Sequence, residues 1–151
     1  MRNPEKPGRR KRSRGGAMLE IALMGPWVFL LFIGALDWGF YAYALISTQA
    51  AARSAALYTS SSDATTANTA ANVAAACNIV LGEMRYLPNI GSAASTCDSN
   101  PVVTVEPVSG PDSANASRVK VVYQSVPLIP IPGLLQKQFT AVRIVMMRVR
   151  S

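Results

Sequence analysis

Two groups of residues in this 151-residue sequence have the type and spacing to do chemistry: Gly15-Gly16 with Glu20, and Cys77 with Cys97. Glu20 stands at the near edge of an uncharged apolar run, Ile21 to Leu36. A carboxylate there is costly unless it is paired or reaches water. Cutting the chain between Gly15 and Gly16 makes Gly16 the new N-terminus and Glu20 the fifth residue. A helix that begins so carries an ammonium and a carboxylate one turn apart, and can pair with a neighbour shifted along its axis. The alternative is a carboxylate near enough to lipid headgroups to stay wet. Pro26, inside the run, lacks an N–H, frees the carbonyl of Ala22 and can bend the helix.

The two cysteines both follow the apolar run. If that part is exported to an oxidising compartment, a disulfide is favoured. It would close a loop of about 20 residues, stabilise by roughly 3 kcal/mol through chain entropy, and tie a helix to the loop after it. Two free thiols are the alternative. Their spacing fits no zinc pattern, and the chain has no His, which removes imidazole bases, His-containing triads and His metal ligands. No phosphate-cradling Gly-x-x-x-x-Gly-Lys occurs. Asn115-Ala116-Ser117 matches a glycosylation sequon, and Asp63, Glu83, Asp98, Glu106 and Asp112 are scattered as solvated surface would be. No catalytic, cofactor-binding or metal-binding set is expected, and the chain reads as a non-enzyme.

The elements that position Glu20 follow from charge and hydropathy. Residues 1–15 hold seven Lys/Arg against Glu5, while the rest of the chain holds eight bases and seven acids. A basic leader therefore precedes a nearly neutral chain. From Ala17 to Asp37 a helix rises about 30 Å, the thickness of a bilayer core. Asp37 falls at the far boundary, with Trp38, Tyr41 and Tyr43 beside it as an interfacial belt. A soluble helix apolar on every side would need a larger core than this chain can build. Six net positive charges keep the N-terminal end cytoplasmic and send the remainder across. A basic arm for nucleic acid is the rival reading, but basic flanks beside a span are the ordinary topology signal, and no nucleic-acid partner is expected. A cleaved secretory signal ending at Ala42-Tyr43-Ala44 is a further alternative; against it stand the long apolar region, Pro26 and the flanking carboxylates.

Beyond the span, Leu45 to Tyr58 reads as an Ala-rich continuation of the helix. Leu45, Ile46, Ala50, Arg53, Ala56 and Leu57 recur at three- and four-residue steps as a packing face, leaving Gln49 and Ser54 to water. Ser62 or Asp63 caps a second helix that runs to about Tyr86, with Val73, Cys77, Val80 and Met84 as its apolar stripe. After a loop at 89–101 the period changes to two. Val102–Glu106, Arg118–Val126 and Phe139–Val149 read as strands; imperfect alternation in the second leaves a bulge or two-sided burial open. Ser109-Gly110-Pro111-Asp112 is a turn in which Gly supplies positive φ, and Pro127–Gly133 is an extended, proline-punctuated connection. The fold class is α+β: a long N-terminal helix, a second helix and a small antiparallel sheet. The expected division is a leader at 1–15, a transmembrane and stem helix at 16–58, and an exported α+β domain at 59–151.

Basic tail, Gly, four residues, Glu and an apolar helix resemble the type IV prepilin signal. Gly16-Ala-Met-Leu-Glu-Ile-Ala-Leu-Met-Gly-Pro26 resembles the start of TadE-like pseudopilins of the tight-adherence (Flp) pilus system. Asp37-Trp38-Gly39, Ala50-Ala51-Ala52-Arg53, Pro127-Leu-Ile-Pro, Gly133-Leu-Leu, Phe139-Thr-Ala and Met147-Arg148 continue the likeness, which leaves out 60–116. Ile21 stands where the family usually has an aromatic residue, and Phe40 where a basic one is common. The resemblance implies a pilin-like minor pseudopilin without cofactor. A prepilin peptidase removes the leader, and the mature protein waits in the inner membrane with its C-terminal domain periplasmic. It then joins other minor pseudopilins, with the major pilin as a candidate further contact, on the inner-membrane assembly platform to assemble or prime a pilus. The class-level alternative is a single-pass anchor whose exported domain binds a ligand or partner.

Overall fold

The apolar run and the Ala-rich stretch form one helix, α1 (Gly16–Thr59), in a computed structural model that describes residues 16–90, 95–126 and 138–150. The basic leader, Gly15 included, and the Pro127–Gly133 connection lie outside the described residues. The chain divides into two compact units, one ending at Leu36 and one beginning at Asp37. In the first, the apolar side chains stand in the open, Leu31 being 73% exposed and Trp27 70%. Pro26 is accommodated within the helix.

The second unit holds the rest of α1, then α2 (Asp63–Thr66), α3 (Ala70–Met84), β1 (Val102–Ser109), β2 (Asn115–Gln124) and β3 (Thr140–Arg148). The strands form an antiparallel meander in the order β1-β2-β3. The fold is the expected α+β arrangement.

The expected second helix is broken into α2 and α3, and side-chain hydrogen bonds explain the break. Ser62 and Thr65 form a reciprocal capping box, and the Thr66 hydroxyl donates to the carbonyls of Thr59 and Ser62. Asn72 Nδ2 donates to the carbonyls of Ala64 and Ala67 at 2.7 and 2.8 Å, while Thr69 caps α3 through the Asn72 amide. Short polar side chains thus offer the backbone partners that compete with a continuous helix. The α3 stripe is as expected: Cys77, Val80 and Met84 are buried and Val73 packs against them.

In β2 every residue from Ala116 to Val122 pairs one-to-one with both neighbours, so the strand has no bulge. Val119, Val121 and Tyr123 enter the core, and Val122 lies between Val102 and Val142 on the opposite face. In the β1–β2 turn the positive φ falls on Ser113 (61°) rather than on Gly110. Gly110 serves another need: a Cβ there would come within 3.0 Å of Asp112 Oδ1 and 3.3 Å of the Ala114 carbonyl.

The stem packs through a different face from the one its large residues mark. Ala44, Thr48, Ala51, Ala52, Ala55, Ala56 and Thr59 are buried, in one core with Val103, Val105, Val119, Val121 and Tyr123. Of the expected face only Ala56 is fully buried; Ile46 is 69% exposed and Leu57 55%, and Gln49 and Ser54 are half-buried. Small side chains let a helix backbone come close to a sheet, whereas Ile and Leu at the same positions would hold it off. The Thr59 and Ser117 hydroxyls then meet at 2.7 Å, joining α1 to β2. We expect Ala55→Leu to cost about 1–3 kcal/mol by overpacking, and Ala50→Leu, on the open side, to stay within about 0.5 kcal/mol of wild type. Urea-dependent pulse proteolysis of the full chain in detergent micelles measures both, and equal costs would refute this packing.

Candidate functional site: the N-terminal helix and its stem

Gly16 opens α1, and Glu20 lies one turn in, exposed, as are Ile21 and Leu23 beside it. Among the described residues of the first unit it is the only ionisable side chain. Pro26 follows at the next turn but one. Gly16, Glu20 and Pro26 therefore share one helix segment, while Gly15 is outside the described residues.

The second unit begins at Asp37, the carboxylate expected at the far boundary of the span. Asp37 is only 5% exposed, because it is already part of the compact unit rather than of the open helix. Tyr41 is half-buried and its ring lies 4.8 Å from that of Phe139. Trp38, 73% exposed, stays outside with its ring 6.0 Å from Tyr41. Of the expected aromatic belt, Trp38 and Tyr43 are in the open and Tyr41 belongs to the domain.

Cys77 and Cys97 form the expected disulfide, with Cα atoms 5.8 Å apart. It joins α3 to the segment that leads into β1. There Asn100 acts as a substitute strand residue: its Nδ2 donates to the Gln124 carbonyl at 2.8 Å and its Oδ1 accepts from the Gln124 amide at 2.9 Å. The sequon residues have structural tasks: Asn115 Nδ2 donates to Asp63 Oδ1 at 3.0 Å, and Ser117 is buried on Thr59.

Tyr123 is a residue whose role is not visible in the sequence. Its ring is buried beside Phe40, Leu87 and Phe139, and its hydroxyl donates to the Pro88 carbonyl. Burial pushes the phenol above its ordinary pKa of 10.0. The folded state thus holds this proton more tightly than the unfolded chain does. Its contribution is fully present below pH 10 and is lost as pH rises through the folded-state value. We expect Tyr123→Phe to lose about 1 kcal/mol at neutral pH with the hydrogen bond, and to soften the fall in stability above pH 10. Urea midpoints from pH 7 to 11 test this, and an alkaline limb identical in the two proteins would refute it.

Residues 15–57 match the family model described as TadE-like protein. The match starts at Gly15, takes in Gly16, Glu20 and Pro26, and ends two residues short of the end of α1. The likeness is confined to this segment, less than a third of the chain. No curated protein and no solved structure matches it. The long apolar N-terminal helix of this TadE-like segment fits a single-pass membrane anchor. Its length and open apolar surface meet the requirement for crossing a bilayer.

Proposed function

We propose that the chain is a minor pseudopilin, cut by a prepilin peptidase between Gly15 and Gly16 and active in assembling or priming a tight-adherence pilus. The observation that carries this reading is the TadE-like match, which begins at the residue before the proposed cut. Hydrolysis there gives Gly16 a free α-ammonium at the first position of α1, one turn from the Glu20 carboxylate. The basic leader supports an N-terminus held in the cytoplasm and a periplasmic domain, a compartment in which a disulfide persists. Other minor pseudopilins, the major pilin and the inner-membrane platform are the partners this reading supplies. Glu20 would pair with the Gly16 ammonium of a neighbour and so select register and partner.

N-terminal sequencing of the protein extracted from membranes decides the matter. The expected mature chain begins at Gly16. A chain beginning at Met1 would return the protein to a simple anchor, and one beginning at Leu45 to a secreted protein.

A further inference from the structure

The outward side of the stem carries a second pattern, within the unit that begins at Asp37. Tyr43, Ile46, Ala50, Arg53 and Leu57 recur at alternating steps of three and four, the spacing of a knobs-into-holes seam. None is buried: Tyr43 is 46% exposed, Ile46 69% and Leu57 55%, with Ala50 and Arg53 open as well. Leu45, Gln49 and Arg143, the last from β3, line an open groove with Ile46, Ala50 and Arg53. The groove is apolar with two guanidinium groups.

Its own chain does not neutralise those groups among the described residues. Glu106 pairs with Arg118 and Asp112 with Arg148. Asp63 accepts from Asn115, and Glu83 accepts from Ser54 at 3.4 Å. From Trp38 to Ser62 there is no Asp or Glu at all. The stem of a second copy laid along this seam would therefore bring further arginine and no carboxylate of its own, and like charges across an interface oppose pairing.

We propose that this groove docks an amphipathic helix of a different protein, apolar along the seam and carrying carboxylates where it meets Arg53 and Arg143. The seam spacing specifies a helix, and the unmatched cations specify its charge. The proposal does not depend on leader cleavage or on a pilus.

The test uses the full chain in phosphatidylcholine nanodiscs and two fluorescent stapled peptides of three heptads. Both have Leu at seam positions; one has Glu and the other Gln at the flanking positions. The Glu peptide should bind about tenfold more tightly. Joint Arg53→Gln and Arg143→Gln should erase that difference, and Ile46→Glu should abolish binding of both peptides while leaving the urea midpoint unchanged. Equal affinity of the two peptides, or no binding of either, overturns the proposal. A dimer of the chain that Ile46→Glu dissociates would assign the seam to a second copy. Loss of peptide binding in phosphatidylglycerol nanodiscs at unchanged peptide partitioning would assign it to anionic lipid. Either result also overturns the proposal.

Discussion

If the chain is the proposed minor pseudopilin, Glu20→Gln protein is expected to insert in the membrane in the same orientation as wild type, yet to recover none of the proposed pseudopilin partners and to make no pili. Gln keeps the shape and hydrogen-bonding capacity of Glu and removes only the charge. Topology should survive because the basic leader, not Glu20, sets it. Association should not survive. Leaving one partner of a desolvated ion pair unmatched weakens an interaction by at least about a hundredfold. In the isolated helix Glu20 is exposed among apolar neighbours, so the charge has little to do until a neighbour arrives. Co-purification from detergent-solubilised membranes and pilus counts by electron microscopy measure the effect. Wild-type recovery and wild-type piliation in Glu20→Gln would show that the acid is only a headgroup-level carboxylate, whatever the fate of the leader.

Loss of the Cys77–Cys97 bond should have the largest effect on the stability of the domain. The bridge spans 20 residues of sequence, and releasing a loop of that length costs about 3 kcal/mol in the unfolded-chain entropy model. Small domains have about 5–15 kcal/mol in all, so such a loss is a substantial share. Both sulfurs sit in the core, Cys77 3% and Cys97 8% exposed; a Cys77→Ala, Cys97→Ala pair therefore also gives up some packing. The damage should begin between α3 and β1, where Asn100 clamps Gln124 and Asn89 donates to the same Gln124 carbonyl at 3.0 Å. Pulse proteolysis of the full chain in micelles should show a lower urea midpoint for the double variant, with first cuts after Met84. Equal midpoints, or two freely alkylated thiols in native wild-type protein, would contradict the bond.

Much of this was legible without coordinates, and for definite reasons. A membrane-length helix is a property of consecutive residues: the cost of each in lipid is set locally and simply adds. The change of period after residue 101 places three strands for the same reason. The observed β1, β2 and β3 differ from expectation mainly at their ends; β1 runs on through Pro107 to Ser109, which an edge strand tolerates. That Gly16, Glu20 and Pro26 share one helix was legible because spacing along a single helix requires no fold to interpret. Two cysteines without further ligands favoured a disulfide over two free thiols, and the bond between Cys77 and Cys97 is formed.

Features that depend on two surfaces meeting were not legible in this way. The stem offers two stripes, one of Ala and Thr, one holding Ile46, Arg53 and Leu57, and periodicity weights the larger side chains. Close approach to the sheet selected the small ones, because interiors are filled by contact at short range rather than by hydrophobicity alone. Burial of Asp37, the break between α2 and α3, and the Tyr123 hydroxyl on the Pro88 carbonyl likewise rest on partners distant in sequence or on side-chain hydrogen bonds that no period reveals. Local patterning thus accounts for a membrane-length helix with an acid at its edge and an α+β fold stapled at two cysteines. Which side of the stem the domain takes, and which it leaves open, was settled only when helix and sheet had to fit at van der Waals distance.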